Sequence, residues 1–176
     1  CSLATDNIEL REHKSARWLT AETLDTVKWL PADKEVIDKL KEIMDNRRYT
    51  PEMITEVAGN EIFVFGCRRS GRHWEGAAAF ALENFGAVFG QGEGPQGRSY
   101  AIATAGVGLT DVKAAVDRFA KYAMGHPEQH FLVTRIGCGL GGWRISQIAP
   151  MFRDASLLNN VWLPKEFWDE LNYCRP

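Results

Sequence analysis

Residues 131–143 read FLVTRIGCGLGGW, and this stretch decides the fold. Apolar and β-branched residues run into Arg135, as they do in a buried strand. Four glycines then fall within positions 137–142, and Trp143 ends the run. Glycine at a strand end costs conformational entropy and supplies no packing, so the backbone there must come close to something. On the N-terminal side the strand reads as QHFLVTRI (129–136). On the C-terminal side Ile145, Ile148, Ala149 and Phe152 mark a helix across 144–154.

The same order of strand, glycine loop and helix occurs earlier. EIFVFG (61–66) is a short apolar run that predicts a buried strand. GCRRSGRHWEGAAA (66–79) is the loop after it, and EGAAAFALENFG (75–86) is an alanine-rich helix, apolar nearly all round, that stops at Gly86. RSYAIATA (98–105) predicts another strand. Val112, Val116, Phe119 and Ala123 share one face of a helix over 110–124, which Gly125 and Pro127 end. NNVWLP (159–164) reads as a last strand and KEFWDEL (165–171) as a closing helix. This alternation predicts an α/β chain with a largely parallel sheet and helices on both faces. Ligands of such sheets bind beyond the carboxyl ends of the strands, where both glycine loops fall. Upstream, DKEVIDKLKEIMDN (33–46) sets Val36, Ile37, Leu40, Ile43 and Met44 at helical spacing. Thr50-Pro51 reads as the cap and first position of a short helix, and residues 1–15 as a polar, loosely held terminus.

Composition excludes several classes. With 176 residues, 45% hydrophobic and 25% charged, the chain has an ordinary globular make-up. A net charge of −2 gives no basic field for duplex nucleic acid. No apolar run approaches the roughly 20 residues that span a bilayer, so no membrane partner is expected. Cys1, Cys67, Cys138 and Cys174 form no CxxC pair, which argues against a disulfide scaffold or zinc finger and for reduced thiols in a cytoplasmic protein. Cys1 is read as an artificial or processing boundary rather than a lipidated end; a removed signal peptide would leave no trace.

The glycine loops carry the chemistry. Glycines let backbone N–H groups converge on an anion, and the helix N-terminus that follows adds partial positive charge. Neither loop has the GxxxxGK[ST] or GxGxxG spacing of the common nucleotide motifs. Tight turns would explain one loop; two in equivalent positions favour a diphosphate held between them. Arg68, Arg69 and Arg72 suit phosphate, or pair with Glu75 or Glu93. Cys67, His73 and Cys138 could form a nucleophilic or metal site, but small buried cysteines in tight turns are the favoured reading, and no metal is expected. Glu75 is expected to cap its helix rather than act as a base. Gln91, Gly92, Glu93, Gly94 and Gln96 form a cleft rim or a simple connection. Trp143 either stacks on a ligand or packs under the following helix.

The elements NEIFVFG, GRHxxGAA, FGAVFGQGEGxQGxSYAI, HPEQHFLVTRIGCGLGGW and IAPMF together resemble a bacterial and phage-associated group of macrodomain-like proteins. Its members read FGSNxxGRHGAGAA and YAIPTK at the corresponding places. More distantly, RIGCGL is similar to the diphosphate loop of the terminal ADP-ribose glycohydrolase type of macrodomain. The resemblance covers residues 48–168. It implies a three-layer α/β/α fold with a mixed, largely parallel sheet and a nucleotide-binding domain over 48–176, while residues 1–47 fall outside it and read as a helical N-terminal extension. It also implies that Gly137, Cys138, Gly139, Leu140 and Gly141 wrap a diphosphate and ribose, with Gly71, Gly76 and Ala77 in the facing loop. Arg72, His73, Trp74, Gly142 and Trp143 complete the expected ligand-binding set.

The departures bear on chemistry. Arg68 stands where the pattern has Asn, Trp74 where it has Gly, Glu75 where it has Ala, and Ala105 where it has Lys. The catalytic Lys and Asp of the glycohydrolase type fall on Thr104 or Ala105 and on Gly141. The expected ligand is therefore ADP-ribose or an NAD-derived relative, with no separate cofactor. A reader or sequestering module is favoured over a hydrolase acting on ADP-ribose derivatives or ADP-ribosylated proteins. A degenerate fold used for protein–protein contact is the third reading.

Overall fold

The computed structural model describes residues 19, 21–45 and 48–173. The expectations for Cys1, Cys174 and residues 1–15 lie outside them. The chain divides into two compact units, Cys1–Asn46 and Arg47–Pro176. In the first, 3-10 turns at Ala21–Thr26 and Pro31–Asp33 precede helix α1, Lys34–Asp45. Trp29 Nε1 donates to the Leu24 carbonyl at 2.7 Å. Ile37 is buried, whereas Val36 and Leu40 are exposed.

The second unit is an α/β layer structure. Its strands are β1 (Glu61–Arg68), β2 (Gly94–Gln96), β3 (Ser99–Ala105), β4 (His130–Val133) and β5 (Val161–Trp162). They lie in the order β2-β3-β1-β4-β5. β1 runs parallel to β3 and β4, and β4 parallel to β5; only β2 is antiparallel, against β3. The sheet is thus mixed and largely parallel.

Alternation along the strands divides the core in two. Phe63, Phe65 and Cys67 of β1 join Ala101 and Leu132 under helix α2, Gly76–Asn84. Val64 joins Ile102, Phe131 and Val133 on the opposite face, with Val112, Val116 and Phe119 of α3, Leu109–Gly125. That face is also covered by α4 (Ile145–Ile148), α5 (Arg153–Ser156) and α6 (Lys165–Tyr173). Helices therefore flank the sheet on both sides. Small residues let α2 sit close to the strands: Ala78 and Ala81 are buried, while Ala77, Ala79, Phe80 and Leu82 are half-buried, so the helix is less enclosed than its sequence predicts.

Four elements differ from the sequence reading. The residues after Thr50-Pro51 form bends, not a helix; Tyr49 instead makes a parallel bridge to Leu163. β4 stops at Val133: Thr134 still donates its N–H and its hydroxyl to the Val64 carbonyl, at 3.0 and 2.8 Å, and the chain then turns, with Ile136 N–H donating to the Thr134 carbonyl at 2.7 Å. The helix read over 144–154 is α4, a 3-10 turn at Ala149–Phe152, and α5. Pro150 explains the break, since it has no N–H to give the preceding turn. The segment taken as a polar loop over 91–96 contributes β2, a three-residue edge strand.

Candidate functional site

The two glycine loops face each other beyond the carboxyl ends of β1 and β4, around a cleft of about 610 Å³. Three glycines allow the close approach that the sequence requires. A Cβ on Gly66 would lie 2.7 Å from Thr104 Oγ1, so β1 can sit tight against the cleft floor. Gly137 takes φ +71°, a conformation that favours glycine. A Cβ on Gly141 would lie 2.7 Å from the Gly137 carbonyl oxygen, because the loop closes back on itself. Trp143 N–H donates to that same carbonyl at 3.0 Å, and Gly142 N–H to Gly139 at 2.9 Å. The N–H groups of Gly139, Leu140 and Gly141 have no acceptor among the described residues.

Across the cleft stands the N-terminus of α2. Glu75 occupies its cap position, but its side chain makes no capping bond, contrary to the sequence expectation. The first-turn N–H groups of a helix have no intrahelical acceptor, so this end presents donors and partial positive charge. Arg68, Arg72 and Arg135 line the same cleft, against Glu75 as its one carboxylate among the described residues. Arg68, Arg69 and Arg72 are in no ion pair with a described residue. Glu93, one of their expected partners, instead takes Arg118 of α3, with Nη2 2.9 Å from Oε2.

The expected ligand-binding residues separate into two groups. Arg72, Trp74, Gly76, Ala77, Gly137, Gly139, Leu140 and Gly141 line the cleft. Trp74 and Leu140 are exposed, at 68% and 74%, on opposite lips. Trp74 stacks beside Phe89 with ring centres 5.9 Å apart, and the Arg72 guanidinium lies 5.4 Å from its ring centre. Gly71, His73, Cys138, Gly142 and Trp143 are not among the residues that line the cleft, and of these Gly142 is exposed. Trp143 packs on the core and donates Nε1 to the Thr104 carbonyl at 2.7 Å, which ties the second loop to the end of β3. Cys138 packs partly buried against the same core.

Gly71 and His73 hold the first loop to residues 90–92. Gly71 has φ +67°, and a Cβ there would meet the Gln91 backbone at 2.3 Å. Gly90 N–H donates to the Gly71 carbonyl at 2.9 Å. His73 is buried, edge-on to Phe65, with Nε2 3.1 Å from the Gln91 carbonyl. That acceptor assigns the ring hydrogen to Nε2 and leaves the buried Nδ1 without a partner. Cys67 Sγ donates to the Gly92 carbonyl at 3.1 Å. Burial, helped by the Glu93 charge, pushes the Cys67 thiol up to about 12, and burial also raises Cys138. Both are therefore thiols at neutral pH, the weakly nucleophilic form. Among the described residues no three His, Cys, Asp or Glu side chains could share a metal ion.

A second cleft, of about 930 Å³, adjoins the first. The segment 50–55 forms one side, with Met53 and Ile54, and Phe63, Phe80 and Pro164 supply further apolar wall. Gly76, Ala77, Thr134 and Arg135 line both clefts, so the N-terminus of α2 and the turn after β4 divide them. Sequence reasoning missed this cleft because 50–55 read as helix. It missed Thr134 and Arg135 because both read as the end of a strand; their place just before Gly137 was the available signal.

No family model, curated protein or solved structure matches the chain. Among the described residues no helix is long and apolar enough to cross a membrane.

Proposed function

We propose that this chain is a macrodomain-like protein that binds ADP-ribose or a closely related NAD-derived nucleotide. The observation that carries the reading is the pair of adjoining clefts divided by the N-terminus of α2 and the turn that holds Arg135. Gly76 and Ala77 begin α2 on that dividing wall, and residues 139–141, whose N–H groups have no acceptor among the described residues, line the first cleft with it. Such a wall suits a diphosphate. The second cleft, with Ile54, Phe63 and Phe80 in its wall, suits a base, and the first, with Trp74 and Arg72 at its lip, suits a ribose and what it carries. The sequence resemblance over 48–168 supports the same ligand. Calorimetric titration with ADP-ribose tests the reading: saturable heat is expected, and none at millimolar ligand refutes it.

Binding without turnover is the favoured form. The places of the glycohydrolase Lys and Asp hold Thr104, Ala105 and Gly141, all three in the cleft lining and none able to form a covalent intermediate through an amine or carboxylate. One observation favours a hydrolytic second reading: Glu75 is exposed in that lining and uses no oxygen for capping, so it is free to orient a water. Incubation with ADP-ribosylated protein separates the two. Product release that disappears in Glu75→Gln supports the hydrolase, and no product leaves the reader.

A further inference from the structure

We propose that Arg135 is a movable clamp for the ligand's diphosphate, with Glu166 as its counter-ion in the free protein. The inference rests on the nucleotide reading above and names the group that would make that site selective for ligands spanning both clefts.

Arg135 follows β4 by two residues and lines both clefts at their common wall. Its Nη1 lies 3.2 Å from Glu166 Oε1 in the first turn of α6. Both side chains are well exposed, at 60% and 43%, so the pair is solvated and readily exchanged. Arg68 and Arg72 line the first cleft alone, and three further arginines of the unit are engaged elsewhere. Arg48 donates to the Val161 and Ser156 carbonyls, Arg98 to the Val57 carbonyl, and Arg118 to Glu93.

A ligand that occupies both clefts must cross the wall where Gly76, Ala77 and Arg135 meet. A diphosphate at that crossing would have helix N–H groups on one side and a planar guanidinium on the other. Guanidinium matches two phosphate oxygens at once and holds the doubly charged group better than a single exposed carboxylate. The ligand would therefore take Arg135 from Glu166. A mononucleotide confined to one cleft would draw less from the exchange.

The test is a double-mutant cycle by calorimetry with ADP-ribose and AMP, on the full chain and on Arg135→Gln, Glu166→Gln and the double variant. Both side chains are exposed, and thermal melts check that each variant folds. Arg135→Gln is expected to weaken ADP-ribose about tenfold, and AMP less. Glu166→Gln is expected to tighten ADP-ribose when Arg135 is present and to change nothing when it is Gln. An Arg135→Gln variant that binds normally overturns the clamp. So does a Glu166→Gln effect that is equal in both backgrounds, which would be plain repulsion of the ligand. A wild-type chain that binds no ADP-ribose refutes the nucleotide reading itself, and the clamp with it.

Discussion

Two glycines of one loop differ in what a side chain there would meet. A Cβ on Gly139 finds nothing within 4 Å, and one on Gly141 meets the Gly137 carbonyl at 2.7 Å. Gly141→Ala should therefore destabilise the protein by about 1–3 kcal/mol, the usual range for forced overpacking. Gly139→Ala should leave the melt within about 0.5 kcal/mol of wild type. Equal losses in a urea titration would show that the loop does not close as described. The same contact leaves no room at this position for any side chain, a carboxylate included. The sequence made the need for a close approach legible, but not its object. Part of the answer is the loop's own backbone, which no spacing rule reports. Trp74 shows a related limit. Its position marked it as a ligand-binding residue, but only the structure sets it on the lip of the cleft beside Phe89. Trp74→Ala should then weaken ADP-ribose by about 0.5–1.5 kcal/mol, as the loss of an aromatic contact does, with little change in stability. Tighter binding in the same titration would mean that the ring obstructs the site.

At the scale of elements, the first loop is shaped by its neighbour rather than by itself. His73 and Cys67 donate to the carbonyls of Gln91 and Gly92, and Gly71 lies against the same backbone. His73→Ala removes a buried ring from beside Phe65 and leaves the Gln91 carbonyl to Gln96 Nε2 alone, at 2.9 Å. A loss of about 2–4 kcal/mol in urea denaturation is expected, in line with other large-to-small core changes. A change near zero would mean that the ring holds nothing. In the sequence, GRH looked like a ligand-binding unit because it matches an element of the pattern that the chain resembles. Its histidine faces inward because 90–92 supplies an acceptor 18 residues away in sequence, and long-range pairing of that kind leaves no local periodicity. The same reason hid β2, whose three residues are strand only because β3 lies beside them. The long strands and α3 were legible, since their periodicity reports burial on one face directly. The helix over 144–154 was legible as helical but not as interrupted, although Pro150 stood in plain view.

At the scale of the molecule, two buried acids predict a loss of stability at alkaline pH. Burial raises Cys67 from 9.0 to about 12 and Tyr100 from 10.0 to about 12. In the unfolded chain both ionise near their ordinary values, while the folded state keeps their protons. Stability is therefore whole below about pH 9 and falls as pH rises towards 12, because the unfolded state loses protons first. Thermal melts across that range should drop, and Cys67→Ala should flatten the lower part of the fall. An unchanged slope would assign it to other groups. The last expectation concerns the extension. Every lining residue of both clefts falls between Thr50 and Glu166, within the unit Arg47–Pro176. That unit carries both core clusters' strands and the helices that cover them, so it has the means to fold alone. Expressed as residues 47–176, it should melt cooperatively and bind ADP-ribose with the Kd of the full chain. If the fragment folds and binds more weakly, residues 1–46 contribute contacts to the ligand or order the loops that do. An amphipathic α1 that leaves Val36 and Leu40 exposed would then be the first segment to examine by substitution.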